Sequence, residues 1–171
     1  PNGGGGQQIG TSYVVRWEHS SLTVNNVRLD FTTNNGSTWS NIISSYPADS
    51  GYYLWNIPNT PSQNCRVKIT DVNNTTIYDM SDSLFVLSSI ELVYPSGGIT
   101  QKLQVGKTYN ITWNSGFIQN VQLEYSFNNG TDWNEIPGAA SIPAVNGEFA
   151  WTVPSTTSKE CRIRVRDVAY A

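Results

Sequence analysis

The sequence predicts an all-β protein made of two tandem antiparallel β-sandwich domains. Three observations carry that prediction. Apolar and polar residues alternate in short runs separated by Gly, Pro and Asn. No segment sustains a 3.6-residue apolar pattern. The chain also repeats itself: Trp17 and Trp113, Trp55 and Trp151, and Cys65 and Cys161 each stand 96 residues apart, and Trp39 and Trp133 stand 94 apart. That period is longer than a solenoid repeat and fits a whole small β-domain.

The element that names the repeat is Val27-Arg28-Leu29-Asp30-Phe31-Thr32-Thr33-Asn34-Asn35-Gly36-Ser37-Thr38-Trp39. It returns as Val121-Gln122-Leu123-Glu124-Tyr125-Ser126-Phe127-Asn128-Asn129-Gly130-Thr131-Asp132-Trp133. Each copy reads as a half-buried strand, a two-residue turn and a second strand, because Asn and Gly at Asn35-Gly36 and Asn129-Gly130 adopt the positive φ such a turn needs.

In chain order, the first copy is expected to form strands near residues 12–18, 26–33, 38–44, 52–57, 65–71 and 81–87. Tyr13, Val15 and Trp17 share one face, as do Val27, Leu29 and Phe31, then Tyr53, Trp55 and Ile57, then Cys65, Val67 and Ile69. Arg16, Arg28, Asp30, Arg66 and Lys68 point the other way, toward solvent. Residues 87–92 read as a short linker that holds the domains end to end with limited freedom. The domains are therefore placed at residues 1–88 and 89–171.

The frame of the repeat is uneven. Pro95-Ser96-Gly97-Gly98 corresponds to Pro1-Asn2-Gly3-Gly4, so the first copy has no counterpart of Ile90-Glu91-Leu92-Val93-Tyr94. The second copy has no counterpart of residues 77–87. The first domain is expected to lack its first strand and the second its last. Either the segment belongs to a longer array, or neighbouring chains supply the missing edges by strand addition.

Composition narrows the function classes. The 171 residues are 38% hydrophobic and 13% charged, with a net charge of −3. Four Lys and six Arg do not outweigh 13 acidic residues, which argues against nucleic-acid binding through phosphate neutralisation. No apolar run approaches the roughly 18 residues of a membrane span. The Asn, Ser, Thr and Gly richness is that of extracellular β-modules, so secretion or cell-surface display is the expected location.

The six Trp fall at repeat-equivalent positions in phase with the apolar faces. Trp17, Trp39, Trp55, Trp113, Trp133 and Trp151 are accordingly read as core, with Gly36 and Gly130 as turn residues. Aromatics that the repeat does not require are the candidates for a saccharide platform: Tyr52, out of phase with Tyr53; Tyr46, beside Pro47; and Phe117, after Gly116. The two Cys, alone in their copies, read as small buried hydrophobes rather than a disulfide or metal pair.

His19 follows Glu18 with no nucleophile motif beside it, and reads as a surface residue. Glu18/Asp30 and Glu124/Glu135 are carboxylate pairs in number only, since they occupy outward positions. Asp71 and Asp167 end equivalent strands and read as turn caps, with calcium ligation helped by Asp79 or Asp82 as the minor alternative. Arg66, Lys68, Arg162, Arg164 and Arg166 form a basic stripe that Asp30 and Glu124 offset across strands. Sequons begin at Asn35, Asn73, Asn74, Asn110 and Asn129.

Two stretches of the second copy, Val105-Gly106-Lys107-Thr108-Tyr109-Asn110-Ile111-Thr112-Trp113 and Val121-Gln122-Leu123-Glu124-Tyr125, carry a family resemblance together with Asn129-Gly130, Trp151-Thr152-Val153-Pro154 and Cys161-Arg162-Ile163-Arg164-Val165. The pattern resembles bacterial immunoglobulin-like or fibronectin-III-like surface modules, and is similar to the N-terminal domain family of fungal cell-wall-synthesis and Ser/Thr-rich anchored proteins. The resemblance covers both copies and implies a spacer, adhesin or hydrolase appendage with no catalytic residues and no cofactor. The expected function is a non-enzymatic structural or adhesive repeat in a surface array or filament. Its expected partners are neighbouring copies or domains of the same protein, and surface polysaccharide. A carbohydrate-binding accessory module of a secreted polysaccharide-degrading enzyme is the alternative.

Overall fold

The computed structural model describes residues 5–19, 24–98 and 101–170, with the Tyr170 side chain excepted; Pro1-Asn2-Gly3-Gly4 lies outside that set. Among the described residues the protein is all-β, with short 3-10 turns and no α-helix. Its strands are β1 (Gly6–Gln8), β2 (Ser12–Arg16), β3 (Asn26–Thr32), β4 (Ser40–Pro47), β5 (Tyr52–Asn56), β6 (Ser62–Asp71), β7 (Tyr78–Met80) and β8 (Phe85–Tyr94). Then follow β9 (Thr108–Gly116), β10 (Asn120–Ser126), β11 (Asn134–Glu135), β12 (Ile142–Pro143), β13 (Glu148–Thr152) and β14 (Arg162–Asp167). The chain divides into two compact units, Pro1–Ser88 and Ser89–Ala171.

In unit 1, β2 pairs antiparallel with β5, while β4, β3 and β6 form a second antiparallel layer. Beyond β6 lie β7 and residues 85–88 of β8, and β1 runs parallel to the latter. Both layers feed one core: Val15, Trp55 and Ile57 from β2, β5 and the turn after it meet Leu29, Phe31, Cys65, Val67, Phe85 and Leu87 from the other. The Phe31 and Trp55 rings pack at 5.2 Å between centroids. Period-2 alternation along β3 and β6 makes this possible, since every second side chain faces the other layer.

In unit 2, residues 89–94 of β8 pair with β9, and β9 pairs with β13. The second layer is β10 flanked by β14, with the short β11 and β12 on its other side. Ile111, Trp113, Trp151 and Val153 meet Val121, Leu123 and Ile136 in the core. Tyr125 stacks on Trp151 at 5.5 Å, where unit 1 has Phe31 on Trp55.

Trp17 and Trp113 perform one task in each unit. The indole Nε1–H of Trp17 donates to the Ala48 carbonyl at 2.9 Å, and that of Trp113 to the Ala144 carbonyl at 2.9 Å. Each acceptor opens a 3-10 turn that ends at a glycine with φ of 67°, Gly51 or Gly147, whose carbonyl takes the same Trp's backbone N–H. A buried indole needs a partner, and this latch supplies it while tying one layer to the turn that enters β5 or β13.

Several expectations are corrected. Residues 87–92 contain the boundary between the units, as expected, but as part of strand β8: Leu87 and Ser88 pair in unit 1 and residues 89–92 pair with β9. The Asn-Gly hairpins are not two-residue loops. Asn35 (φ 55°) and Gly36 (φ 93°) do occupy the tight turn closed by Ser37 N–H on the Asn34 carbonyl, but the loop spans residues 33–39. Asn34 widens it, its Oδ1 accepting the Thr38 N–H at 2.9 Å while Thr32 Oγ1 accepts the Gly36 N–H at 3.1 Å. Asn128, Ser126 and Asp132 repeat the arrangement around Gly130.

Candidate functional site

The most heavily functionalised surface is the outer face of β3 and β6 in unit 1, with its counterpart on β10 and β14. An open groove of about 650 Å³ lies there in unit 1, lined among others by Arg28, Trp39, Lys68, Asp71, Tyr78 and Met80. β7 forms one wall, since Tyr78 and Met80 pair with Thr70 and Lys68 of β6.

Trp39 and Trp133 lie on this outer face and belong to neither core cluster, which corrects their assignment to the core. The reason is the longer loop: each Trp stands after the turn and folds back over it. A Cβ on Gly36 would come 3.5 Å from the Trp39 ring, and one on Gly130 3.2 Å from the Trp133 ring. The Lys68 ammonium lies 4.3 Å from the Trp39 centroid, and the Arg164 guanidinium 4.1 Å from that of Trp133. A cation over the ring face uses the quadrupole that would otherwise stack a sugar. Trp55, Trp113 and Trp151 are buried in the cores, and Trp17 is half-buried against its own.

Asp30 and Glu124 are not solvent-facing, contrary to the sequence reading. They are 2% and 7% exposed. Asp30 is held by Arg28 at 2.8 Å and by the Asn41 amide at 3.2 Å. Its expected cross-strand partner Lys68 stands opposite in register but turns to Trp39. Glu124 receives Arg164 at 2.6 Å and Arg166 at 2.9 Å, a cross-strand network of the expected kind. Buried carboxylates are tolerated only when paired in this way.

The remaining candidates are scattered. Tyr46 is half-buried in an aromatic cluster, 5.1 Å from Tyr53 and 6.4 Å from Trp17. Tyr52 is 50% exposed with the Arg16 guanidinium 5.9 Å from its ring. Phe117, in unit 2, is 53% exposed at a φ of 57°. Asp71 Oδ1 accepts the Asn73 N–H at 2.9 Å and Asp167 Oδ1 the Ala169 N–H at 3.0 Å, so each caps a turn. Among the described residues no three His, Cys, Asp or Glu side chains converge on one point. His19 pairs with Asp49 at 3.0 Å.

The two thiols differ. Cys65 is fully buried, and burial pushes its pKa up, partly offset by hydrogen bonding with Ser62 and Leu87. Cys161 is exposed, which corrects its assignment as a buried hydrophobe. In unit 1 residues 85–88 of β8 cover the Cys65 edge; on β14 no described strand does so. The uneven repeat frame, in which the second copy has no counterpart of residues 77–87, is the sequence signal of this contrast.

No family model, curated protein or solved structure matches the chain.

Proposed function

We propose that the chain is a non-enzymatic extracellular structural and adhesive module. It consists of two tandem antiparallel β-sandwiches of immunoglobulin-like or fibronectin-III-like type within a surface array or filament, joined to its neighbours through edge strands. The observation that carries this reading is the matched latch and core. Trp17–Ala48 and Trp113–Ala144 have the same geometry at 2.9 Å, and Phe31–Trp55 is matched by Tyr125–Trp151. The polar side chains buried in these units are satisfied from within, such as Asp30 by Arg28 and Asn41, rather than aimed into a cleft. Such units serve mechanically: two rigid bodies that set a spacing and resist unfolding.

Antibodies against the chain test this on intact cells of its source. Surface labelling that is lost on protease shaving is the expected result. Labelling only after permeabilisation overturns the reading.

The carbohydrate-binding alternative draws on the exposed rings of Tyr52 and Phe117. If it holds, the chain sediments with an insoluble polysaccharide and Tyr52→Ala or Phe117→Ala releases it. Without such binding, the spacer reading stands alone.

A further inference from the structure

The two units carry different chemistry on the same outer face. In unit 2 that face is satisfied by its own side chains. Gln122 of β10 stands opposite Arg166 of β14, and Glu124 opposite Arg164. Arg166 donates to Gln122 Oε1 at 2.9 Å and lies 2.9 Å from Glu124, while Arg164 lies 2.6 Å from Glu124. In unit 1 the same positions hold Arg28 opposite Thr70, and Asp30 opposite Lys68. Arg28 takes Asp30 at 2.8 Å. Thr70 is short where unit 2 has the long Arg166. The Lys68 ammonium faces the Trp39 ring and has no carboxylate within ion-pair distance among the described residues. It keeps N–H donors for an acceptor from outside.

These choices shape the groove of unit 1. Thr70, 8% exposed, is its floor. Arg28 of β3 and Tyr78 of β7 flank Thr70 in register, so at the usual strand spacing the two walls stand about 10 Å apart. The floor runs along β6 from Lys68 to Val72, about 13 Å at the strand rise. Tyr78 is 57% exposed and, unlike Trp39, has no cation over its ring among the described residues. Here β3 is paired on both sides by β4 and β6, and β6 by β3 and β7. No main-chain edge is left in the floor for a peptide strand, so side chains alone must recognise an occupant. They offer one aromatic face, one ammonium and the hydroxyls of Ser44, Thr70 and Thr75. That set matches a ring with an apolar face, many hydroxyls and a negative charge.

We infer that this groove binds a carboxylated polysaccharide. A uronate ring lies over Thr70 against the Tyr78 ring, with its carboxylate on the Lys68 ammonium and its hydroxyls toward Ser44 and Thr75. The groove is open along β6, so it accepts an internal stretch of a polymer rather than a free end. The inference rests on the adhesive part of the proposed function, and it places the sugar on a different face from Tyr52 and in a different unit from Phe117.

Affinity electrophoresis of the whole chain tests this in gels containing polygalacturonate, alginate or hyaluronate, each compared with its carboxyl-reduced form. Retardation by an acidic polymer and not by its reduced form is expected. Lys68→Met and Tyr78→Ala each weaken it about tenfold, through loss of a charge-assisted bond or of the stacking face. Lys107→Met, an exposed cation of unit 2, leaves it unchanged. Thr70→Arg puts the unit 2 residue on the floor and abolishes retardation although it adds a positive charge; circular dichroism checks that this variant is folded. No retardation by any acidic polymer overturns the inference. So does equal weakening by Lys68→Met and Lys107→Met, which general charge attraction predicts, or equal retardation by polyglutamate, which points to an acidic peptide. Loss through Tyr52→Ala with Lys68→Met silent overturns this groove and keeps the carbohydrate reading. The surface reading stands or falls separately, on antibody labelling of intact cells.

Discussion

The ammonium of Lys68 stands over the ring of Trp39, 4.3 Å from its centroid. Arg164 stands over Trp133 at 4.1 Å, so a cation from the β6 or β14 position covers the Trp of the Asn-Gly loop in both units. These pairs are partly solvated, so a double-mutant cycle with Lys68→Met and Trp39→Ala is expected to give a coupling of about 0.5–1 kcal/mol. Urea denaturation measures it. A coupling near zero would mean that the cation does not hold the loop Trp.

The latch predicts a second effect. Trp17→Phe and Trp113→Phe keep the aromatic bulk but remove the donors to Ala48 and Ala144. Each is expected to cost about 1 kcal/mol, the net worth of one hydrogen bond. Ala144 retains a Ser115 hydroxyl donor at 3.3 Å, so Trp113→Phe should be the milder of the two in bonding terms. Equilibrium unfolding followed by fluorescence of the remaining Trp residues ranks them.

Glycines in positive-φ positions separate strain from crowding. Gly10 (φ 75°) has open space where a Cβ would go, so Gly10→Ala carries backbone strain alone, about 1 kcal/mol. Gly130 (φ 90°) would place that carbon 3.2 Å from Trp133, so Gly130→Ala adds displacement of the ring and of Arg164 above it. Gly130→Ala is expected to lower the denaturation midpoint more than Gly10→Ala. Equal losses would show that the ring gives way without cost.

These contrasts show what the sequence could reveal. Alternation along residues 27–31 and 65–69 placed both strands and their inward faces, because period-2 burial is a local property. Alternation puts Trp39 in the core because strand phase runs straight through the loop, which the Asn34 side chain widens by a contact that alternation does not register. Alternation points Asp30 and Glu124 toward solvent, and it registers nothing of the Arg side chains that pair with them and bury them. Cys161 differs from Cys65 in lacking the cover that the start of Phe85–Tyr94 gives in unit 1, which the uneven repeat frame reports and local alternation does not.

The thiols give a pH-dependent prediction. Burial raises the Cys65 pKa, so the folded state holds its proton to a higher pH than the unfolded chain, whose thiol ionises near ~8.5. Its contribution is fully present below that value and is lost as pH rises through the folded-state pKa. At pH 8 without denaturant, Cys161 alone is expected to be alkylated promptly, and denaturant should release Cys65. Mass mapping of the alkylated peptides checks this; prompt native labelling of Cys65 would contradict its burial.

Glu124 carries the largest electrostatic consequence. Its side chain is 9% exposed and holds Arg164 and Arg166, which are 36% and 37% exposed. Removing the carboxylate with Glu124→Ala leaves both guanidinium groups without it, but they are open enough for water to solvate them. The expected cost is therefore about 1–3 kcal/mol, below that of breaking a fully buried pair. Arg164 also loses the bond that fixes it over Trp133, so the Trp133 emission should shift along with stability. If Arg164→Met in the Glu124→Ala background costs as much as it does alone, the carboxylate and the cation–ring pair act independently. A smaller cost shows that Glu124 positions Arg164 for the ring.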